Sequence, residues 1–280
     1  MEYFELNNGV KMPKVGIGTF MLSPEEAENS VYNALINGYR LIDTANAYVN
    51  ERAVGRGIKK SGVPREEIFV STKLWPTEYE NPNAIDETLE RLGLEYIDLL
   101  FLHQPGGNYK AGYEQLEKAY KEGKIKAIGV SNFEDEFIED ILNNFEIIPQ
   151  VDQVECHPYY QQDKLRKVTE PKDIKIMCWY PLGHGDKSLM EETIVTEIAS
   201  KHNKSAAQII LKWHTQMGFV VIPGARSIEH IKQNIDLFDF ELTDEEMGKI
   251  CSLNKNHRYY YPSMEQLKEF AKIELQYESK

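Results

Sequence analysis

Short apolar runs rich in β-branched residues recur along the chain, each running into polar residues. They are VGIG (15–18), RLID (40–43), IFVST (68–72), IDLLFL (97–102), IKAIGV (125–130), VDQV (151–154), IKIMCW (174–179) and FVVI (219–222). Near-continuous apolar runs of this length suit strands buried on both faces. Between them lie stretches whose apolar residues fall three and four apart, the spacing of one helix face. In SPEEAENSVYNALINGY (23–39), Ser23 and Pro24 form an N-cap and first-turn proline, and Gly38 offers a C-terminal stop. AGYEQLEKAYKEGK (111–124) shows the same spacing. Strand and helix alternate eight times, which predicts an α/β fold, a (β/α)8 TIM barrel of parallel strands.

Three segments stand outside that alternation. FELNNGVKM (4–12) sets Asn8-Gly9 between two short runs, the signal of an N-terminal β-hairpin. KSAAQIILKWHTQM (204–217) adds a helix between the seventh and eighth strands, and the tail from Arg258 reads as a C-terminal helix or lid. With no linker or low-complexity stretch, residues 1–280 read as a single domain.

The hydrophobic fraction of 41% allows a full core, and the net charge of −13 disfavours nucleic acid and anionic membrane as partners. An acidic, polar N-terminus and no long charge-free apolar run predict a cytoplasmic chain with neither signal peptide nor membrane span. Cys156, Cys178 and Cys251 are widely spaced and lack a C-x-x-C pair, so they read as thiols of a reducing compartment. Cys156-His157 has no third ligand at suitable spacing, so no metal site is expected; His184, His202, His214 and His257 read as surface or packing residues.

Barrel enzymes place their chemistry at the carboxyl ends of the strands. Those ends here carry Asp43, Lys73 and His103, each 30 residues from the next, then Ser131 and Asn132, Gln153 and Tyr180. An acid at the end of a buried strand needs a partner, and Lys73 on the neighbouring strand supplies one. Tyr48 lies five residues beyond Asp43, where its phenol can approach the ammonium. A nearby cation is expected to lower a phenol's pKa. Asp43 would orient the lysine, and His103 would donate to the same acceptor oxygen. Together these residues make a proton donor for an oxygen that becomes an alkoxide. No side chain supplies hydride. A nicotinamide cofactor does, with its carboxamide held by Ser131, Asn132 and Gln153 and its ring on Tyr180.

The motifs GIGTF (16–20), GYRLIDTANAYVNE (38–51), STKLW (71–75), LFLHQP (100–105), GVSNF (129–133), DQVECHPYYQQ (152–162), WYPLG (179–183) and VIPGARSIEHIKQN (221–234) resemble those of the aldo-keto reductase family, in the family's order and across nearly the whole chain. The overall flavour is similar to bacterial 2,5-diketo-D-gluconate reductase-like members. The resemblance implies a (β/α)8 barrel and NADPH-dependent reduction of small carbonyl substrates. It implies the tetrad Asp43, Tyr48, Lys73 and His103, with Tyr48 as general acid. Phe20 and Trp75 would then line the substrate pocket, and Gly18 and Thr19 would border the cofactor. Leu182 and Gly183 would give it backbone donors, and Gln233 and Asn234 would meet its adenine end. Many relatives that prefer NADPH carry Lys-Ser where Gly224 and Ala225 stand, and Arg where His230 stands. Arg226 is expected to take the 2′-phosphate, assisted by His230, and NADH use stays open.

Other readings weigh against these. GVSNF lacks the last glycine of an esterase elbow, and GHGDKS (183–188) lacks phosphate-loop spacing. Trp179 is expected in the core. The loop QPGGNYKAGY (104–113) is short and predicts an open pocket, with Tyr259, Tyr260 and Tyr261 as lid residues. A monomer suffices. The alternative function is a catalytically weak cofactor-sensing or structural barrel protein.

Overall fold

The computed structural model describes residues 1–279. A short antiparallel hairpin, β1 (Tyr3–Glu5) and β2 (Lys11–Pro13), opens the chain and turns at Gly9, whose φ is +83°. Eight parallel strands follow: β3 (Ile17–Gly18), β4 (Leu41–Asp43), β5 (Phe69–Leu74), β6 (Leu99–Leu102), β7 (Ile128–Ser131), β8 (Val151–Glu155), β9 (Lys175–Trp179) and β10 (Val220–Val221). Each pairs with the next in sequence. The bridges Val15–Val221 and Gly18–Gly224 join the first strand region to the last and close the barrel. All eight predicted runs are strands.

Strand phase divides the core in two, because side chains alternate faces along a strand. Leu41, Phe69, Leu99, Phe101, Ala127, Val151, Met177 and Val220 point inward and fill the barrel, with Leu6 and Met12 of the hairpin plugging its amino-terminal end. Their neighbours Ile42, Val70, Leu100, Ile128, Val154 and Cys178 point outward against the helices. Phe101 fits only because Gly129 is opposite: a Cβ there would lie 2.3 Å from the phenylalanine ring.

Helix α1 (Pro24–Ile36) starts as predicted, with Ser23 and Glu26 forming a reciprocal capping box and Pro24 in the first turn. It ends before Gly38, whose φ is +96°. The interval between β9 and β10 holds three helices, α2 (Lys187–Met190), α3 (Thr193–His202) and α4 (Ala206–Gln216). The tail carries α5 (Met264–Phe270). Among the described residues no helix is long and apolar enough to cross a membrane.

Candidate active site

The inward phase that builds the barrel core continues to the carboxyl ends of the strands, where it becomes polar. Asp43, Lys73, His103, Ser131 and Gln153 all carry that phase, so one mouth receives them all. Lys73 is fully buried, and Nζ donates to Asp43 Oδ2 and to the Thr44 carbonyl, both at 2.7 Å. Asp43 Oδ1 accepts from Ser71 Oγ at 2.7 Å and Gln153 Nε2 at 3.0 Å. A buried cation and carboxylate are tolerable together because each finds the other and further polar partners. Behind Lys73, Thr72 and Arg91 donate to the buried Glu51 at 2.7 and 2.6 Å.

Tyr48 sits on a short turn beyond β4, half-buried, with Lys73 Nζ 5.0 Å from its ring centre. His103 approaches edge-on, with ring centres 5.6 Å apart. Phe20 lies 5.1 Å from the Tyr48 ring and Trp75 5.1 Å from His103, so both expected pocket aromatics stand beside the tetrad. The expected lowering of the phenol's pKa is overturned. Burial, together with the negative charge of Asp43, pushes Tyr48 well above the ordinary phenol range. Asp43 offsets Lys73's charge, and loss of hydration disfavours the phenolate. The phenol therefore rests protonated. Burial lowers the Lys73 ammonium, against the pull of Asp43. Burial and Lys73 hold His103 well below its ordinary value, so the imidazole is neutral. His103 Nδ1 is buried with no partner, which places the ring proton best on Nε2.

The cofactor candidates are brought to the same end, with differences. Thr19 is buried and its hydroxyl donates to the Asp43 carbonyl at 3.2 Å; Gly18 lies in the closing seam. Asn132, at φ +65°, bridges three strand ends: Nδ2 donates to the His103 carbonyl at 3.2 Å, and Oδ1 accepts from Trp179 Nε1 at 3.1 Å. Trp179 is thus a half-buried mouth residue that packs on the inner barrel cluster, because it ends the inward phase of Met177 at the carboxyl end of β9. Tyr180, at φ +50°, presents a flat face on which the His184 imidazole stacks at 4.2 Å. That face accepts a planar heterocycle, and Ser131 and Gln153 stand at adjoining strand ends, so the residues fit a nicotinamide group. Leu182 is half-buried, but the Gly183 amide already donates to the Tyr180 carbonyl at 2.8 Å, which removes it as an expected donor. Arg226, His230 and Gln233 are exposed on and before the helix Ile228–Ile235, with Asn234 buried on it. Arg226 is held by Glu26 Oε1 at 3.0 Å and the Met21 carbonyl at 2.8 Å.

The tail covers part of the mouth, so the pocket is less open than the short loop 104–113 suggests. Gly106 packs so closely on Leu267 that a Cβ would meet its carbonyl at 2.6 Å. Trp75 Nε1 donates to the Phe270 carbonyl at 2.9 Å. Of the three expected lid tyrosines, Tyr260 stands by Trp179 with ring centres 5.9 Å apart. Tyr259 instead donates to Asp186 at 2.5 Å, and Tyr261 is exposed beside Arg258. Sequence reasoning missed Glu155, a buried carboxylate two residues past Gln153. It accepts the Tyr259 and Tyr260 amides at 2.7 and 3.1 Å and contacts His157 Nε2 at 3.0 Å. Its inward phase was the available signal.

A family model described as "Aldo/keto reductase family" matches residues 14–255. The chain is 48% identical over 259 residues to glyoxal reductase of Bacillus subtilis, covering 91% of this chain and 93% of that one. It is 41% identical to morphine 6-dehydrogenase of Pseudomonas putida, covering 90% and 91%. Among solved structures, an aldo-keto reductase from a Medee basin deep-sea metagenome library superposes with a TM-score of 0.90 at 42% identity, covering 93% and 97%. The aldose reductase of Schistosoma japonicum gives 0.88 at 31% identity, covering 93% and 94%. With its barrel closed and its polar residues gathered at one mouth, this chain belongs to the aldo/keto reductase family and is an NAD(P)H-dependent carbonyl oxidoreductase.

Proposed function

We propose that the chain reduces small aldehydes and ketones, dicarbonyls such as glyoxal among them, to alcohols with NADPH as the preferred donor and Tyr48 as the general acid. The observation that carries this reading is the buried Asp43–Lys73 pair beneath a protonated tyrosine, with a neutral histidine at its edge. When bound, the nicotinamide supplies hydride to the carbonyl carbon. Ser131, Asn132 and Gln153 would hold its carboxamide, and Tyr180 its ring. Thr19 and Gly18 would border it, Leu182 would give a backbone donor, and Arg226 with His230, Gln233 and Asn234 would take its phosphate and adenine end.

The substrate oxygen sits between Tyr48 and His103, and Phe20 and Trp75 wall the rest. Neutral His103 donates its Nε2 hydrogen to that oxygen and orients it. As negative charge grows there, Tyr48 passes over its phenolic proton. The phenolate left behind is stabilised by Lys73, which Asp43 and the Thr44 carbonyl hold in place. A high resting pKa suits this order of events: the donor stays loaded until the oxygen becomes the stronger base.

The test is a panel of aldehydes, ketones and dicarbonyls assayed with NADPH and NADH in parallel, on the parent chain and Tyr48→Phe. The variant is expected to keep cofactor affinity and lose ~10² or more in turnover. Near-normal turnover in Tyr48→Phe would reject the assignment, and no nicotinamide oxidation by the parent chain would favour a structural or sensing barrel.

A further inference from the structure

Outside the mouth, on the opposite face of the same strands, three soft-ligand side chains meet. Cys178 points outward from β9, and Cys156 follows β8 in the outward phase. His214 comes from α4, packed against them. All three are fully buried, and Cys156 Sγ, Cys178 Sγ and a ring nitrogen of His214 lie within 4.8 Å of one another. The third thiol, Cys251, stays outside this group and accepts from Trp213 Nε1 at 3.3 Å.

The two carbonyls around the histidine ask for one more N–H than a neutral ring has. Nδ1 lies 2.7 Å from the Ile210 carbonyl and Nε2 lies 3.1 Å from the Cys156 carbonyl. A neutral imidazole has one N–H, so only one of these contacts can be a hydrogen bond. The shorter contact takes the hydrogen on Nδ1. Nε2 then turns a lone pair toward a carbonyl oxygen, an arrangement that calls for positive charge beside it. A backbone carbonyl holding the far ring N–H is also how metal-bound histidines are oriented.

We propose that Cys156, Cys178 and His214 form a three-coordinate site for one copper(I)-class cation. Thiolate and imidazole are the donors that select such soft ions. Three atoms no more than 4.8 Å apart lie within about 2.8 Å of a common centre, so bonds of about 2.0–2.3 Å need each ligand to move by roughly half an ångström or somewhat more. With no fourth ligand in the group among the described residues and all three side chains fully buried, trigonal coordination suits the place better than the tetrahedral shell of zinc. Binding displaces the two thiol protons and fastens β8 and β9 to α4. The role is structural and does not depend on the reductase chemistry at the mouth.

The test loads the full chain anaerobically with copper(I), both native and during refolding from urea, and follows it by desalting and elemental analysis. One equivalent is expected to stay, to resist a copper(I) chelator, to show a near-ultraviolet thiolate band and to raise the urea midpoint. Cys178→Ser and His214→Gln are expected to lose the retained metal, while Cys251→Ser and Tyr48→Phe keep it. The parent chain alone decides the matter if a variant fails to fold. Less than stoichiometric retention overturns the proposal. So does retention unchanged in Cys178→Ser or His214→Gln.

Discussion

Lys73 Nζ and Asp43 Oδ2 meet at 2.7 Å with both side chains shut away from water. Asp43 also accepts from Ser71 and Gln153, so its carboxylate is the hub on which three strands agree. Asp43→Asn turns an amide toward the ammonium and leaves a buried cation unneutralised. Loss of about 3–5 kcal/mol is expected in urea unfolding, with a fall in turnover larger than any change in cofactor affinity. Unchanged stability would show that the pair is not the anchor described.

His103 gives the chain a pH signature. Its pKa is held below the ordinary 6.5 by burial and by Lys73. The unfolded chain therefore binds a proton first as pH falls below that value, and stability declines with it. His103→Gln is expected to flatten the stability curve on the acid side of pH 6.5. A curve of unchanged slope would place the acid sensitivity elsewhere.

Asp152 lies on β8 between Asp43's partner Gln153 and the inward Val151, but it points outward, fully buried, with neither oxygen hydrogen-bonded. Burial and the charge of Glu134 push its pKa well above the usual carboxylate range; the nearby Phe133 amide, the smallest influence, opposes them. Here the unfolded chain loses its proton first as pH rises past about 3.8, so stability falls with rising pH. Asp152→Asn is expected to stabilise the chain at pH 7 by about 1–3 kcal/mol and to remove that slope. Thermal unfolding across pH 4–8 reads both effects.

Arg226 is the guanidinium proposed for the 2′-phosphate, and its present partner is the Glu26 carboxylate. If it exchanges that partner for phosphate, Arg226→Ala should raise KM for NADPH by about 10–100-fold and leave NADH unaffected, the scale of a charge-assisted hydrogen bond. Equal effects on both cofactors would remove it from the phosphate site.

Much of this was legible in the chain because it is periodic. The eight apolar runs gave the strands, Ser23-Pro24 gave a helix start to the residue, and strand-end spacing gathered Asp43, Lys73 and His103. Where the reading failed, the cause was contact across sequence distance. Trp179 is expected in the core, but it stands at the end of β9, where the inward phase opens onto the mouth. The lowered tyrosine pKa counted Lys73 and not the burial or the Asp43 charge that outweigh it. His214 and Cys156 are 58 residues apart, and only the packing of a helix on two strands brings them together.

The carboxylate of Glu155 sits two positions beyond Gln153 on one short strand, gripping the amides of Tyr259 and Tyr260 from below. The carboxylate that holds the start of the tail is thus separate from the proposed proton-transfer residues, whereas Trp75 of the pocket wall holds its far end. Tails of different shape can be hung from Glu155 provided they also meet Trp75, so grafting a foreign tail from Arg258 onward offers a route to new substrates with the proposed proton donor left as it stands.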